Sequence, residues 1–197
     1  MHKFFALLTI LLISQTSFTQ KDFYTESIKA YQKKYVDSHE VVKKNDKRYF
    51  RFYPVSKTYN VICRFEKITD TIGFTMKTSA NTFKHYFKYG NLSFTIAGKE
   101  LKLFVYQSKD LMKTERYKDY LFVPFTDLTT GDQSYGSGRY LEFYKQDIQN
   151  DRLQLDFNKA YNPYCAYSPG YKCPIPPKEN ALPVAVKAGE MNFAKPH

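Results

Sequence analysis

The chain reads as a mainly β protein: a single antiparallel β-barrel or sandwich-like domain with an amphipathic helix on its N-terminal side. Three observations predict this. Aromatic residues make up 18% of the sequence, as 18 Tyr and 17 Phe without Trp, a bias that suits pleated, half-buried surfaces. From residue 48 onward, short stretches with period-two alternation recur between Gly, Pro, Asn and Asp punctuation. A helical period is carried by one stretch only, ahead of those strands.

Residues 1–19 have the parts of a secretory signal. Lys3 supplies the charged start, Phe4 to Ile13 is largely apolar, and Ser17 and Thr19 are small residues before a cut ahead of Gln20. The apolar run is short for a membrane span, which needs about 20 residues, so the mature chain is expected in the periplasm or secreted, without stable membrane insertion. Residues 20–48 form the helical segment. There Tyr24, Ile28, Tyr31 and Tyr35 fall on one helix face, a stripe that reads as packing against a sheet.

Residues 49–197 form the β-rich domain. Tyr49–Tyr53 alternates and is halted by Pro54. Tyr59–Phe65 and Thr71–Met76 follow. Asn91–Ala97 and Leu101–Tyr106 make a hairpin about Gly98-Lys99. Tyr120–Phe125, Arg139–Tyr144 and Leu153–Phe157 complete the strands.

Net charge is +11. The lysines are scattered among acids with no run of five, which describes a solvated surface and points away from nucleic acid. No cofactor motif occurs: Gly-x-Ser-x-Gly, His-Glu-x-x-His and the phosphate-binding loop are all missing, and the few histidines lack metal-ligand spacing. No cofactor and no metal are expected.

Two polar stretches stand out. Residues 125–140, FTDLTTGDQSYGSGRY, place three glycines among hydroxyls and acids and end on Arg139, a guanidinium suited to a carboxylate or phosphate. The same residue types also cap their own backbone in ordinary loops. The Leu155–Glu190 stretch concentrates six Pro, four Tyr, three Asn and two Cys. Prolines stiffen it, and a long irregular segment so stiffened reads as a built surface. Together the 126–139 loop and the 156–180 segment predict one face binding a small anionic or carbohydrate-like ligand. Its candidate residues are Arg139, Tyr135, Asn158, Tyr161, Asn162, Tyr167 and Asn180. An alternative is a hydrolase using Asp156 or Glu179 as acid or base; in a third reading both stretches only lock the fold. Cys165 and Cys173, eight apart in an exported chain, read first as a disulfide, and Cys63 as a buried thiol.

The stretches FVPFTDLTTGDQSYGSGRYL (Phe122–Leu141) and LDFNKAYNPYCAYSPGYKCPIPPKENALPVAVKAGE (Leu155–Glu190) closely resemble the bacterial and archaeal family known as domain of unknown function 1684. A looser similarity covers Arg48–Phe65 and the hairpin. Thr126 departs from a position where such chains often carry a charge. The resemblance implies no reaction and no catalytic residue. Because many such chains look cytosolic, it also leaves two packed thiols as an alternative to the Cys165–Cys173 bridge.

Overall fold

The computed structural model describes residues 22–195, and the expected signal peptide lies outside them. Helix α1 spans Phe23–Ser38, buries Ile28 and Gln32, and leaves Tyr31 at 38% exposure. It is fastened by polar contacts as well as packing. The Tyr24 hydroxyl donates to the Asp156 carboxylate at 3.0 Å, and Gln32 Nε2 donates to the Asn158 carbonyl at 3.3 Å. Among the described residues no helix is long and apolar enough to cross a membrane.

Seven strands follow: β1 Asn60–Lys67, β2 Phe74–Lys77, β3 Phe83–Ile96, β4 Lys99–Ser108, β5 Tyr120–Phe125, β6 Arg139–Tyr144 and β7 Arg152–Asp156. They pair antiparallel in the order β6-β5-β4-β3-β1-β7, with β2 added to β3. The sheet curls into a half-barrel. Alternation sends Cys63, Phe65, Leu92, Phe94, Leu103, Val123, Leu141 and Leu155 to the inner face, where they form one core. The β3–β4 hairpin turns on Ala97 (φ 51°) and Gly98 (φ 75°), the left-handed pair that a two-residue turn between twisted strands needs, so Lys99 opens β4 instead of sharing the turn expected at Gly98-Lys99.

Two strand expectations change. The strand expected at Tyr49–Tyr53 is a single-residue bridge, Phe52 to Glu190, preceded by a 3₁₀ turn over Lys44–Tyr49. Strand β3, expected to begin at Asn91, begins at Phe83. A bulge between Lys88 and Gly90 shifts the pairing with β4 by one residue, which breaks the period-two pattern in the sequence. Gly90 allows that close packing, since a Cβ there would lie 2.3 Å from the Phe65 ring.

After β7 the chain wraps the sheet. A 3₁₀ turn at Phe157–Lys159 is capped by the Asp156 carboxylate, which accepts from the Asn158 amide. Tyr161 then bridges to Tyr140 at the β6 edge. Residues 163–179 form a strap over a second cluster on the outer face, made of Met76, Tyr86, Tyr106, Phe122 and Tyr140. The strap reaches β2, where Ile175 N donates to the Lys77 carbonyl and Thr78 bridges Pro174. Cys165 and Cys173 lie at disulfide distance within it, Cα atoms 6.3 Å apart. Residues 181–190 return to the core with Leu182, Val184, Val186 and Ala188 buried.

Candidate functional site

A cleft of about 490 Å³ opens where α1, β6 and the strap meet. Helix α1 contributes Tyr31, Tyr35 and Ser38, with His39 just past its end; β6 contributes Tyr140 and Glu142, and β3 contributes Lys84. The strap side supplies Tyr161, Pro163, Tyr164, Tyr171, Lys172, Cys173 and Pro174. Alternation along β6 explains the floor: Tyr140 and Glu142 share the outer face, while Leu141 and Phe143 join the core.

Glu142 is the polar centre of the floor. Its Oε2 accepts from the Tyr120 hydroxyl at 2.5 Å and the Tyr161 hydroxyl at 2.8 Å. Burial and this carboxylate together push the Tyr120 and Tyr161 hydroxyls well above the ordinary tyrosine range, so both stay protonated donors.

His39 sits in an aromatic box, its ring 4.6 Å from Tyr167 and 5.0 Å from Phe50. Its Nδ1 accepts from the Val42 amide at 3.1 Å, so the neutral ring carries its proton on Nε2. Burial lowers its pKa to about 4, which keeps the ring neutral at physiological pH. Although the residue is only 7% exposed, Nε2 has no acceptor among the described residues. It is a buried donor on a residue that lines the cleft.

Behind the cleft lies Glu190, fully buried. Tyr167 donates to it at 2.6 Å, Tyr35 at 3.3 Å and the Asn162 amide at 2.9 Å. Burial raises its pKa to about 7 against the pull of these donors.

The residues expected to bind a ligand divide sharply. Tyr161 lines the cleft, and Tyr35 joins it to Tyr167 through a 3.0 Å hydroxyl contact. Arg139 does not face a ligand: it is wholly buried and donates to Asp127 and to the carbonyls of Val186, Ala188 and Glu190. Asn158, Asn162 and Asn180 are likewise buried and bonded to backbone: Asn158 to Ser56, Asn162 to Met191, Asn180 to Phe104 and Pro124. Tyr135 stands in the 126–139 loop, away from the cleft lining. That loop satisfies its own polar groups through Asp127, Thr129, Thr130 and Ser134, packs on residues 184–192, and meets the 176–182 stretch only at its ends, Thr126 and Gly138; none of its residues lines the cleft. Gly138 (φ 84°) is required there, because a Cβ would lie 2.5 Å from the Phe125 carbonyl oxygen.

The candidate acid–base residues are separated into different concavities. Asp156, bonded to Tyr24 and Asn158, lines the seam between β6 and β7. Glu179 pairs with Lys88 at 2.7 Å, accepts from Tyr106 at 2.6 Å and lines a shallow depression near β2. Among the described residues no group of His, Cys, Asp and Glu could hold a metal ion. His39, Glu142 and Glu190 stand outside the residues expected at the site. The Tyr-x-Glu spacing in β6 was the available signal for Glu142; the other two depend on long-range packing.

The fold is similar to the solution NMR structure of an uncharacterized protein from Haloarcula marismortui, with TM-score 0.63 and 29% identity over 85% of this chain and 94% of that one. No curated protein matches the chain. A family model described as "Protein of unknown function (DUF1684)" matches residues 48–191, and the chain belongs to that family.

Proposed function

We propose that the protein is an exported binding protein whose cleft holds a carbohydrate-like ligand. The observation that carries this reading is the concentration of six tyrosines, Tyr31, Tyr35, Tyr140, Tyr161, Tyr164 and Tyr171, around one cleft. Aromatic faces pack against the C–H faces of a sugar ring while their hydroxyl tips exchange hydrogen bonds with its hydroxyls. Glu142 adds an acceptor, Lys84 and Lys172 add donors at the rim, and His39 lends a buried donor that has no partner among the described residues. Export rests on the signal-like residues 1–19 and fits a cysteine pair at disulfide distance.

The chain has no tryptophan, so intrinsic fluorescence reports tyrosine alone. Titrating neutral oligosaccharides into the mature protein is expected to change that emission in the wild type and not in Tyr164→Ala/Tyr171→Ala. An unchanged response in that variant would contradict the site. For export, mass spectrometry of the natural protein should find a mature N-terminus near Gln20 in an extracytoplasmic fraction; an intact Met1 chain in the cytoplasm contradicts it.

A second reading, glycoside hydrolysis, is favoured by one observation: Asp156 and Glu142 line the same seam beside the cleft. Two facing carboxylates are what such hydrolysis uses. It predicts reducing ends released from a bound oligosaccharide and lost in Asp156→Asn; intact oligosaccharide after long incubation rejects it.

A further inference from the structure

The strap covers only half of the outer face. Across β7, β1 and the hairpin ends of β3 and β4, the described residues leave outward side chains such as Ile62 exposed, and one cross-strand row of charge runs over this part of the face. Arg152 pairs with Arg64, Arg64 with Ser93, and Ser93 with Lys102. All four are exposed. Strands lie about 5 Å apart, so the row spans about 15 Å.

Two arginines at directly opposed positions repel each other. Among the described residues, none of the three cations forms an ion pair with a carboxylate. Acids do stand nearby: Glu100 and Asp151 line the same groove, and Glu66 on β1 accepts from Asn91. A like-charge pair left without a counter-ion breaks a local rule of sheet stability, and such breaks concentrate at functional sites.

The groove over this row, about 1020 Å³, shares Ile62 and Arg152 with the seam between β6 and β7. The seam in turn shares Tyr31, Glu142 and Tyr161 with the tyrosine cleft. One path therefore runs from the cleft, along the seam, to the cations. From this continuity we infer that the ligand is a stretch of an anionic polysaccharide, with a neutral sugar ring in the cleft and its acidic groups on Arg152, Arg64 and Lys102. The inference rests on the carbohydrate reading of the cleft. Nucleic acid fits the row poorly, because the one aromatic residue lining that groove, Phe94, is buried and offers no face for a base.

The test is calorimetric titration of the mature protein with a sulfated octasaccharide and its desulfated counterpart, at two salt concentrations. The variants are Arg64→Ser/Arg152→Ser and Tyr164→Ala/Tyr171→Ala, each checked for an unchanged far-UV spectrum. The wild type should bind the sulfated glycan at least ~tenfold more tightly. The arginine variant should lower it to the desulfated level and reduce the salt dependence by about two ion equivalents. The tyrosine variant should weaken both glycans. Equal wild-type affinities, or sulfated binding unchanged without the arginines, overturn this inference and leave the cleft reading standing. Sulfated binding that needs the arginines but not the tyrosines overturns the continuous path and the cleft reading together. No binding of either glycan by the wild type does the same.

Discussion

Arg139 and Asp127 meet at 3.3 Å with both side chains wholly removed from solvent. The guanidinium also donates to the Val186 and Glu190 carbonyls at 2.8 and 3.2 Å and to that of Ala188 at 2.5 Å, while Asp127 accepts from the Val186 amide at 2.6 Å. The pair thus locks the returning C-terminal segment to β6.

Removing one partner strands the other charge. Arg139→Leu and Asp127→Asn should each cost about 3–5 kcal/mol of stability, and the double variant less than their sum, because both charges then leave the interior. Urea unfolding of the three variants measures this. Strictly additive losses would mean that the ion pair is not the link.

Asn180 replaces missing sheet bonds. Strands β4 and β5 pair in register only at Tyr106 and Phe122, and Pro124 has no N–H to offer. The Asn180 amide fills the gap: Oδ1 accepts from the Phe104 amide at 2.8 Å, and Nδ2 donates to the Phe104 and Pro124 carbonyls at 3.0 and 2.8 Å. Asn180→Ala leaves the buried Pro124 carbonyl and the partly buried Phe104 amide and carbonyl without this partner and should cost about 2–3 kcal/mol. A loss under about 1 kcal/mol, the worth of a single ordinary hydrogen bond, would show that the staple is dispensable.

Glu190 makes stability depend on pH. Its folded pKa of about 7 lies above the ordinary 4.5. The native state therefore holds the proton more tightly than the unfolded chain. The contribution is full below pH 4.5 and is lost as pH rises toward 7, on the order of 3 kcal/mol at most. His39 has the opposite slope: with its pKa lowered from 6.5 to about 4, its contribution is present above 6.5 and lost as pH falls toward 4. Comparing the wild type with Glu190→Gln isolates the glutamate. The wild type should lose stability relative to that variant across this window, whereas a constant difference contradicts a protonated Glu190.

The cysteine pair closes a loop eight residues apart in the strap, and Cys173 lines the cleft. Cys165→Ser/Cys173→Ser should lower stability by about 2–3 kcal/mol and weaken any cleft ligand. If reduction by dithiothreitol leaves the unfolding midpoint of the wild type unchanged, the two residues are packed thiols.

Much of the fold was legible because alternation along Asn91–Ile96 and Leu101–Tyr106 marks inner and outer faces directly, while the all-apolar run Tyr120–Phe125 marks a strand buried on both faces. The first half of β3 was not, since a bulge at Lys88–Gly90 interrupts the period and Lys84, His85 and Lys88 dilute the apolar signal. Of the candidate cleft, one wall was legible. The Tyr- and Pro-rich stretch does build the cleft wall, and Tyr161 lies on it. Arg139, Asn158, Asn162 and Asn180 misled because ligand-type side chains and buried backbone staples are the same residue types, and only burial separates them. His39 and Glu190 come from opposite ends of the chain, and nothing local announces that they share an aromatic box with Tyr167.

The most direct measurement is NMR of the mature protein with tyrosine side chains labelled, titrated with a neutral oligosaccharide. Shifts are expected only at Tyr31, Tyr35, Tyr140, Tyr161, Tyr164 and Tyr171, with Tyr59 and Tyr135 unmoved. Shifts centred on Tyr135 and the 126–139 loop, or none at the cleft tyrosines, would contradict the cleft site.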